Sequence, residues 1–395
     1  MKFRKLAAGI LSGTMALMML AGCGASDSSS GNSETASHSE SKGDESTVEN
    51  AGAYGNVKVV GRTYESDGVL WLGYSGTGVD FDFTGDTLKI NMIGSYSGMD
   101  NKPRAALYVD GERKDDQLIA SDGTTFEVKG SPDKAVNVKL VKLSECGNSS
   151  IGILNIDAGG GTVTPAAAKS HKIEIIGDSI TCGYGVDDED PNHHFATSTE
   201  DCTKSYSYKT AQLLDADYSL VAMSGWGIIS GYSGDGKKVE VQQLPKYYDK
   251  IGYNYNKGFG SVKAETLDWD FNKFVPDVIV INLGTNDASY TGTKKDRQQD
   301  YQDSYVAFLK QIREKNPTAK IYCTLGIMDA RLNKVMAAAA EAYTAETGDS
   351  NIATFEFPLQ DSANDGIVAD YHPSDTTHTK SAQLLADFIK QDMGW

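Results

Sequence analysis

The sequence predicts a small all-β jelly-roll or sandwich domain followed by a larger three-layer α/β domain. Residues 55–158 hold short runs of alternating polarity, split by glycine-containing turns at roughly ten-residue spacing, which is a sandwich pattern. From residue 172 onward, continuous β-branched runs alternate with amphipathic stretches, as in a parallel sheet with helices on both faces. The 395 residues are enough for two domains with cores of their own.

The first segment belongs to neither domain. Met1-Lys-Phe-Arg-Lys5 is basic, and the apolar stretch Leu6–Gly22 is short for a membrane span. It ends in Leu20-Ala-Gly-Cys23, which resembles a bacterial lipobox. Residues 1–23 are therefore expected to be a lipoprotein signal peptide, with Cys23 the lipidated residue. Residues 24–54 are rich in serine and acidic side chains, with few apolar residues to bury, so a disordered tether is expected. The expected location is extracytoplasmic, on the bacterial cell surface, held to the membrane by the lipid alone.

Residues 55–165 form the expected sandwich. Val57–Gly61, Val69–Gly73, Val79–Phe83, Thr87–Met92, Ala105–Asp110, Val136–Leu143 and Ile151–Asp157 read as its strands, with a turn signal at Asp110-Gly111. Gly159-Gly-Gly161 and Ala166–Lys169 mark the junction. Residues 166–395 form the α/β domain. Strands are expected at 172–176, 219–223, 277–282, 320–325 and 353–357, and helices at 205–214, 297–314, 331–346 and 377–393. Five strands fit a flavodoxin-like arrangement.

The charge balance limits the partners. With 37 basic against 54 acidic residues the formal net charge is −17, which argues against nucleic acid and against anionic lipid headgroups. A neutral polymer is not repelled. With Cys23 taken by lipid, Cys146, Cys182, Cys202 and Cys323 allow three full pairings, and free thiols are equally compatible. No metal-binding spacing and no phosphate-binding loop is present, so no cofactor is expected. No oligomerisation signal is visible, and a monomer is expected.

The chemistry sits at strand ends. Ile173–Ile176 runs into Gly177-Asp178-Ser179, which offers a serine where ligands bind in open α/β sheets, beyond the carboxyl ends of the strands. Its alternative role is a helix N-cap. Asn286 lies in Asn282-Leu-Gly-Thr-Asn-Asp287, after a second buried-type strand, and Gly227 in Ser224-Gly-Trp-Gly-Ile228, after a third. His372 lies in Asp370-Tyr-His-Pro373, just before the last helix. Ser, Gly, Asn and His in four blocks in this order resemble the SGNH (GDSL-type) hydrolases. The added sandwich, with Gly61-Arg62-Thr63, Leu70-Trp71-Leu72 and Tyr108-Val-Asp-Gly111, resembles carbohydrate esterase family 2, acetyl esterases acting on plant-wall polysaccharides.

The resemblance implies a serine-dependent acyl-enzyme mechanism. Ser179 is the nucleophile, and His372 the base that takes its proton. Of six histidines, His38 is in the tether, His171 precedes the first α/β strand, and His193 and His194 sit in a polar loop. His378, with Asp375 three residues before it, is the runner-up. Asp370, two residues before His372, is the candidate orienting carboxylate; a backbone carbonyl and a Ser–His dyad is the alternative. The oxyanion hole is expected from the Ser179 N–H, the Gly227 N–H and the Asn286 amide, with Gly225 as the alternative glycine. Trp226, Tyr184 and Asp178 are candidate substrate contacts, although Asp178 reads also as a structural hydrogen-bonding group across the site or as a negative charge at a helix N-terminus. The implied substrate is an acetylated polysaccharide of the xylan or glucomannan type. A lipase or thioesterase on the same scaffold, or a non-catalytic glycan-binding lipoprotein, are the alternatives.

Overall fold

The computed structural model describes residues 54–395. The signal segment, the Cys23 lipobox and nearly all of the tether lie outside the described residues.

Eleven strands build an antiparallel sandwich. They are β1 (Lys58–Val60), β2 (Thr63–Ser66), β3 (Val69–Leu72), β4 (Gly78–Thr84), β5 (Thr87–Tyr96), β6 (Arg104–Val109), β7 (Glu112–Leu118), β8 (Thr124–Lys129), β9 (Val136–Lys142), β10 (Ser149–Asp157) and β11 (Thr162–Pro165). One sheet has the order β1-β4-β9-β6-β7, with β11 also on β4; the other has β2-β3-β10-β5-β8. Alternate residues point inward. Val79, Phe81 and Phe83 of β4 thus meet Leu88 and Ile90 of β5, Phe126 of β8, and Val138 and Leu140 of β9 in one core. The turn at Asp110-Gly111 has both residues at positive φ (50° and 79°), as a tight hairpin requires. The strand it leads into, β7, reads Glu-Arg-Lys-Asp-Asp-Gln-Leu and lies at a sheet edge, where charge discourages pairing with another chain.

Five parallel strands follow: β12 (His171–Gly177), β13 (Ala216–Ala222), β14 (Val278–Asn282), β15 (Lys320–Ile327) and β16 (Ile352–Leu359), in the order β13-β12-β14-β15-β16. Helices are α1 (Ser179–Cys182), α2 (Tyr206–Leu213), α3 (Thr285–Thr291), α4 (Lys295–Lys315), α5 (Asn333–Thr347) and α6 (Asp375–Met393). Successive strand residues enter opposite cores. Ile173, Ile175, Val278 and Val280 pack with Tyr206 and Ala211 of α2 and Ala382, Leu385 and Ile389 of α6. Ile176, Ile279 and Ile281 pack with Tyr305 and Leu309 of α4 and Met336 and Tyr343 of α5. Burial on both faces is why these strands read as unbroken apolar runs. The order reverses at β12, with β13 on one side and β14 on the other, and the carboxyl end of such a strand is where open α/β sheets bind ligands.

The sandwich is sewn to the parallel sheet. Arg62, between β1 and β2, is fully buried. Its Nη2 lies 3.2 Å from a carboxylate oxygen of Glu174 on β12, and its Nη1 donates to the carbonyls of Tyr248 and Lys250. The rings of Tyr248, Trp269 and Phe271 surround the guanidinium at 5.0, 5.5 and 5.3 Å. Glu174 also accepts from Tyr248 Oη at 2.8 Å and from Ser219 Oγ at 3.1 Å. Cys146, Cys182, Cys202 and Cys323 are all buried free thiols.

Candidate active site

Ser179 is the first residue of α1, directly after β12. The turn is too tight for a side chain at Gly177, whose added Cβ would lie 2.0 Å from Thr181 Oγ1. Asp178 caps the helix, accepting from the Ile180 N–H at 3.1 Å. Ser179 Oγ is then 2.8 Å from His372 Nε2. The opposite ring nitrogen, Nδ1, is 3.2 Å from the Ala369 carbonyl oxygen. A carbonyl only accepts, so Nδ1 carries the hydrogen and Nε2 presents a lone pair to Ser179. Burial depresses the His372 pKa to about 4; the Ala369 carbonyl and nearby Asp370 offset part of that shift.

The orienting group is thus a main-chain carbonyl. The Asp370 carboxylate makes no hydrogen bond to His372; it accepts from Tyr184 Oη and pairs with His194 Nδ1 at 2.8 Å. Backbone geometry explains the departure. Asp370 and Tyr371 both hold positive φ (48° and 62°), a strained pair for non-glycine residues. This bend presents the Ala369 carbonyl to the ring and leaves the Asp370 carboxylate with Tyr184. Tyr184 stacks on the His372 ring at 4.0 Å between centroids, so it supports the imidazole.

His378 is elsewhere. It is buried in α6 with Nδ1 accepting from the Tyr206 N–H at 3.1 Å, and burial lowers its pKa to about 3. Its companion Asp375 pairs with Lys209. The runner-up pair is therefore not assembled.

Within the glycine block, the unbonded N–H belongs to Gly225 and not to Gly227. The Gly227 N–H donates to the Gln242 carbonyl at 3.1 Å, so it is not free for an oxyanion. The Gly225 N–H donates no hydrogen bond among the described residues, nor does that of Ser179. Gly225 sits at φ 81° in a turn closed by the Trp226 N–H on the Met223 carbonyl, 3.3 Å, where glycine is required. Asn286, in the first turn of α3, directs Nδ2 at the Trp226 carbonyl (2.8 Å) and at Asp178 Oδ2 (3.2 Å). Asp178 is fully buried, and burial raises its pKa to about 7. It links α1 to Asn286 and is not exposed to substrate. Trp226 is also fully buried, its Nε1 donating to Tyr255 Oη at 2.7 Å and its ring held by Tyr247 and Tyr253. A sugar cannot stack on it.

Two supports had no obvious sequence signal. Asp287 accepts from the N–H groups of Ile228, Ile229 and Ser230, which pins the segment after the glycine block. Behind α1, Glu145, Cys182 and Glu200 bring ligand-type atoms within 4.8 Å of one another, all buried. Lys142 Nζ, donating to the Glu145 carbonyl at 3.0 Å, adds positive charge beside them.

The GDSL-like lipase/acylhydrolase family model matches residues 175–380, and the carbohydrate esterase 2 N-terminal model matches residues 59–166. The cellulase/esterase CelE of Acetivibrio thermocellus is 31% identical over 328 residues, 82% of this chain; the match spans only 38% of that protein's length. An acetylxylan esterase/glucomannan deacetylase of Cellvibrio japonicus is 27% identical over 86% of this chain and 90% of its own length. A family two carbohydrate esterase from Clostridium thermocellum, solved with cellohexaose, superposes with a TM-score of 0.74 at 27% identity, covering 86% of this chain and 99% of that one. The chain belongs to the GDSL-like lipase/acylhydrolase family, with a carbohydrate esterase 2 N-terminal domain ahead of the family's α/β domain.

Proposed function

We propose that the protein is a carbohydrate O-acetyl esterase that removes acetyl groups from plant-wall polysaccharide of the xylan or glucomannan type. One observation carries this: the 2.8 Å contact of Ser179 Oγ with His372 Nε2, beside the free N–H groups of Ser179 and Gly225. Ser179 Oγ attacks the acetyl carbonyl while His372 Nε2 takes its proton. The tetrahedral oxyanion is held by the Ser179 and Gly225 N–H groups and by Asn286 Nδ2, which exchanges its longer bond to Asp178. The C–O bond to the sugar breaks, and His372 returns the proton to the departing hydroxyl. Water, deprotonated by His372, then attacks the acetyl-enzyme; the bond from the acyl carbon to Ser179 Oγ breaks, His372 returns the proton to Oγ, and acetate leaves. The names of the relatives and the neutrality of an acetylated glycan, set against the chain's net charge of −17, support the substrate class. The Leu20-Ala-Gly-Cys23 motif and the tether after it support lipid attachment at the cell surface.

The test is acetate release from acetylated xylan and acetylated glucomannan. Release that depends on Ser179 supports the reading. Turnover of nitrophenyl acetate without release from either glycan keeps the serine chemistry and removes the substrate class.

A second outcome separates dyad from triad. Because Ala369 orients the imidazole, Asp370→Asn is expected to keep kcat within about tenfold of wild type. Loss of a triad carboxylate costs about 10⁴-fold, so a drop of that size in steady-state kinetics would restore Asp370 to the catalytic set.

A further inference from the structure

Glu145 belongs to the sandwich but works inside the other domain. It lies between β9 and β10, and only 2% of it is exposed. Its carboxylate Oε2 accepts from the Ser224 N–H at 2.6 Å and from the Cys182 thiol at 3.6 Å. Cys182 ends the helix that Ser179 begins, and Ser224 is the residue before Gly225. A single oxygen atom therefore touches both segments that carry the free N–H groups of the site.

Glu145 is itself held firmly. Its N–H donates to Glu200 Oε2 at 2.8 Å, and its carbonyl accepts from Lys142 Nζ at 3.0 Å. The neighbouring Cys146 carbonyl accepts from Asn254 Nδ2 at 2.8 Å, and the Gly147 carbonyl from the Tyr255 N–H at 2.9 Å. The segment is thus clamped from four directions. Burying a carboxylate is unfavourable, and desolvation raises its pKa. In return it fixes the first central residue of the Met223–Trp226 turn. The Trp226 N–H on the Met223 carbonyl closes the turn and limits the φ and ψ of Ser224, so anchoring the Ser224 N–H holds the turn as a unit and with it the direction of the Gly225 N–H.

We propose that Glu145 is a positioning residue of the oxyanion hole, through which the sandwich domain aligns the Gly225 N–H with Ser179. This rests on the esterase reading above. The hydrogen bond matters through its reach and not through its charge. Glutamine keeps the reach and an accepting oxygen but loses the charge. Aspartate keeps the charge but is one methylene too short to meet Ser224.

The experiment is steady-state hydrolysis of nitrophenyl acetate by wild type, Ser179→Ala, Glu145→Ala, Glu145→Gln and Glu145→Asp, each first checked for a cooperative melt. Glu145→Ala is expected to lower kcat by about ten- to hundredfold with KM changed less than about threefold, because a displaced donor is lost mainly in the transition state. Glu145→Gln should stay within about threefold of wild type, and Glu145→Asp should lose at least about tenfold in kcat. If Glu145→Ala does not fold, the order Gln above Asp carries the result. A loss confined to KM, Asp above Gln, or a folded Glu145→Ala with near-wild-type kcat overturns the role of Glu145 and leaves the esterase reading standing. A wild type without Ser179-dependent turnover overturns the esterase reading first, and this role with it.

Discussion

Ser179→Ala is expected to lower kcat on nitrophenyl acetate and on acetylated glycan by at least about 10⁴-fold, some 5.5 kcal/mol of transition-state stabilisation. The size follows from the geometry. Ser179 Oγ stands 2.8 Å from His372 Nε2, and among the described residues no other group hydrogen-bonds that nitrogen. The free N–H groups remain in the variant and can still polarise an ester carbonyl, so a residual rate above the uncatalysed one is expected. Stability should change little, because among the described residues the hydroxyl hydrogen-bonds His372 alone. Equal melting temperatures with lost turnover would assign the loss to chemistry. Turnover kept within tenfold would remove Ser179 from the mechanism.

The second large effect concerns His372. His372→Ala is expected to lower kcat by about 10³–10⁴-fold, since in the proposed mechanism both proton transfers pass through Nε2. Its pH dependence carries more information. The working form of a general base is the neutral ring. Burial lowers the His372 pKa from 6.5 to about 4, so the neutral form persists into acid. The kcat/KM profile should therefore stay flat from neutral pH down through pH 6 and fall tenfold per unit only below about pH 4. Initial rates measured before any acid unfolding would show this limb. A profile bending near 6.5 would mean that the ring is solvated in the working enzyme.

Much of the α/β domain is legible in the sequence, because burial on two faces leaves an unmistakable trace. The runs Ile173–Ile176 and Val278–Ile281 have no polar face to hide, apart from Glu174, and Glu174 is satisfied by Arg62. Strands that face solvent leave less: β2 (Thr-Tyr-Glu-Ser) and the charged β7 escape any hydropathy reading, and four-residue α1 is too short to show a period. At the site, Ser179, Asn286 and His372 follow from their blocks. What does not follow is whatever the backbone supplies. Any residue at position 369 offers a carbonyl, so no side-chain pattern could reveal that Ala369 orients His372. Gly225 and Gly227 look alike in a string of letters; the distant Gln242 carbonyl occupies one N–H and not the other. Trp226 reads as a platform for a sugar because it neighbours both glycines, yet Tyr247, Tyr253 and Tyr255 close over it.

The buried Arg62–Glu174 pair has a consequence for how such proteins are assembled from parts. A guanidinium ringed by three aromatic side chains of the α/β domain cannot withdraw without leaving the buried Glu174 carboxyl without its ion-pair partner, held by Tyr248 and Ser219 alone, in the heart of a parallel sheet. The two halves therefore do not behave as beads on a string. A gene fusion that moved residues 166–395 alone would transplant a hydrolase with an open wound, whereas one that moved residues 55–395 would carry its own seal. The portable unit, for recombination in nature or at the bench, is the pair.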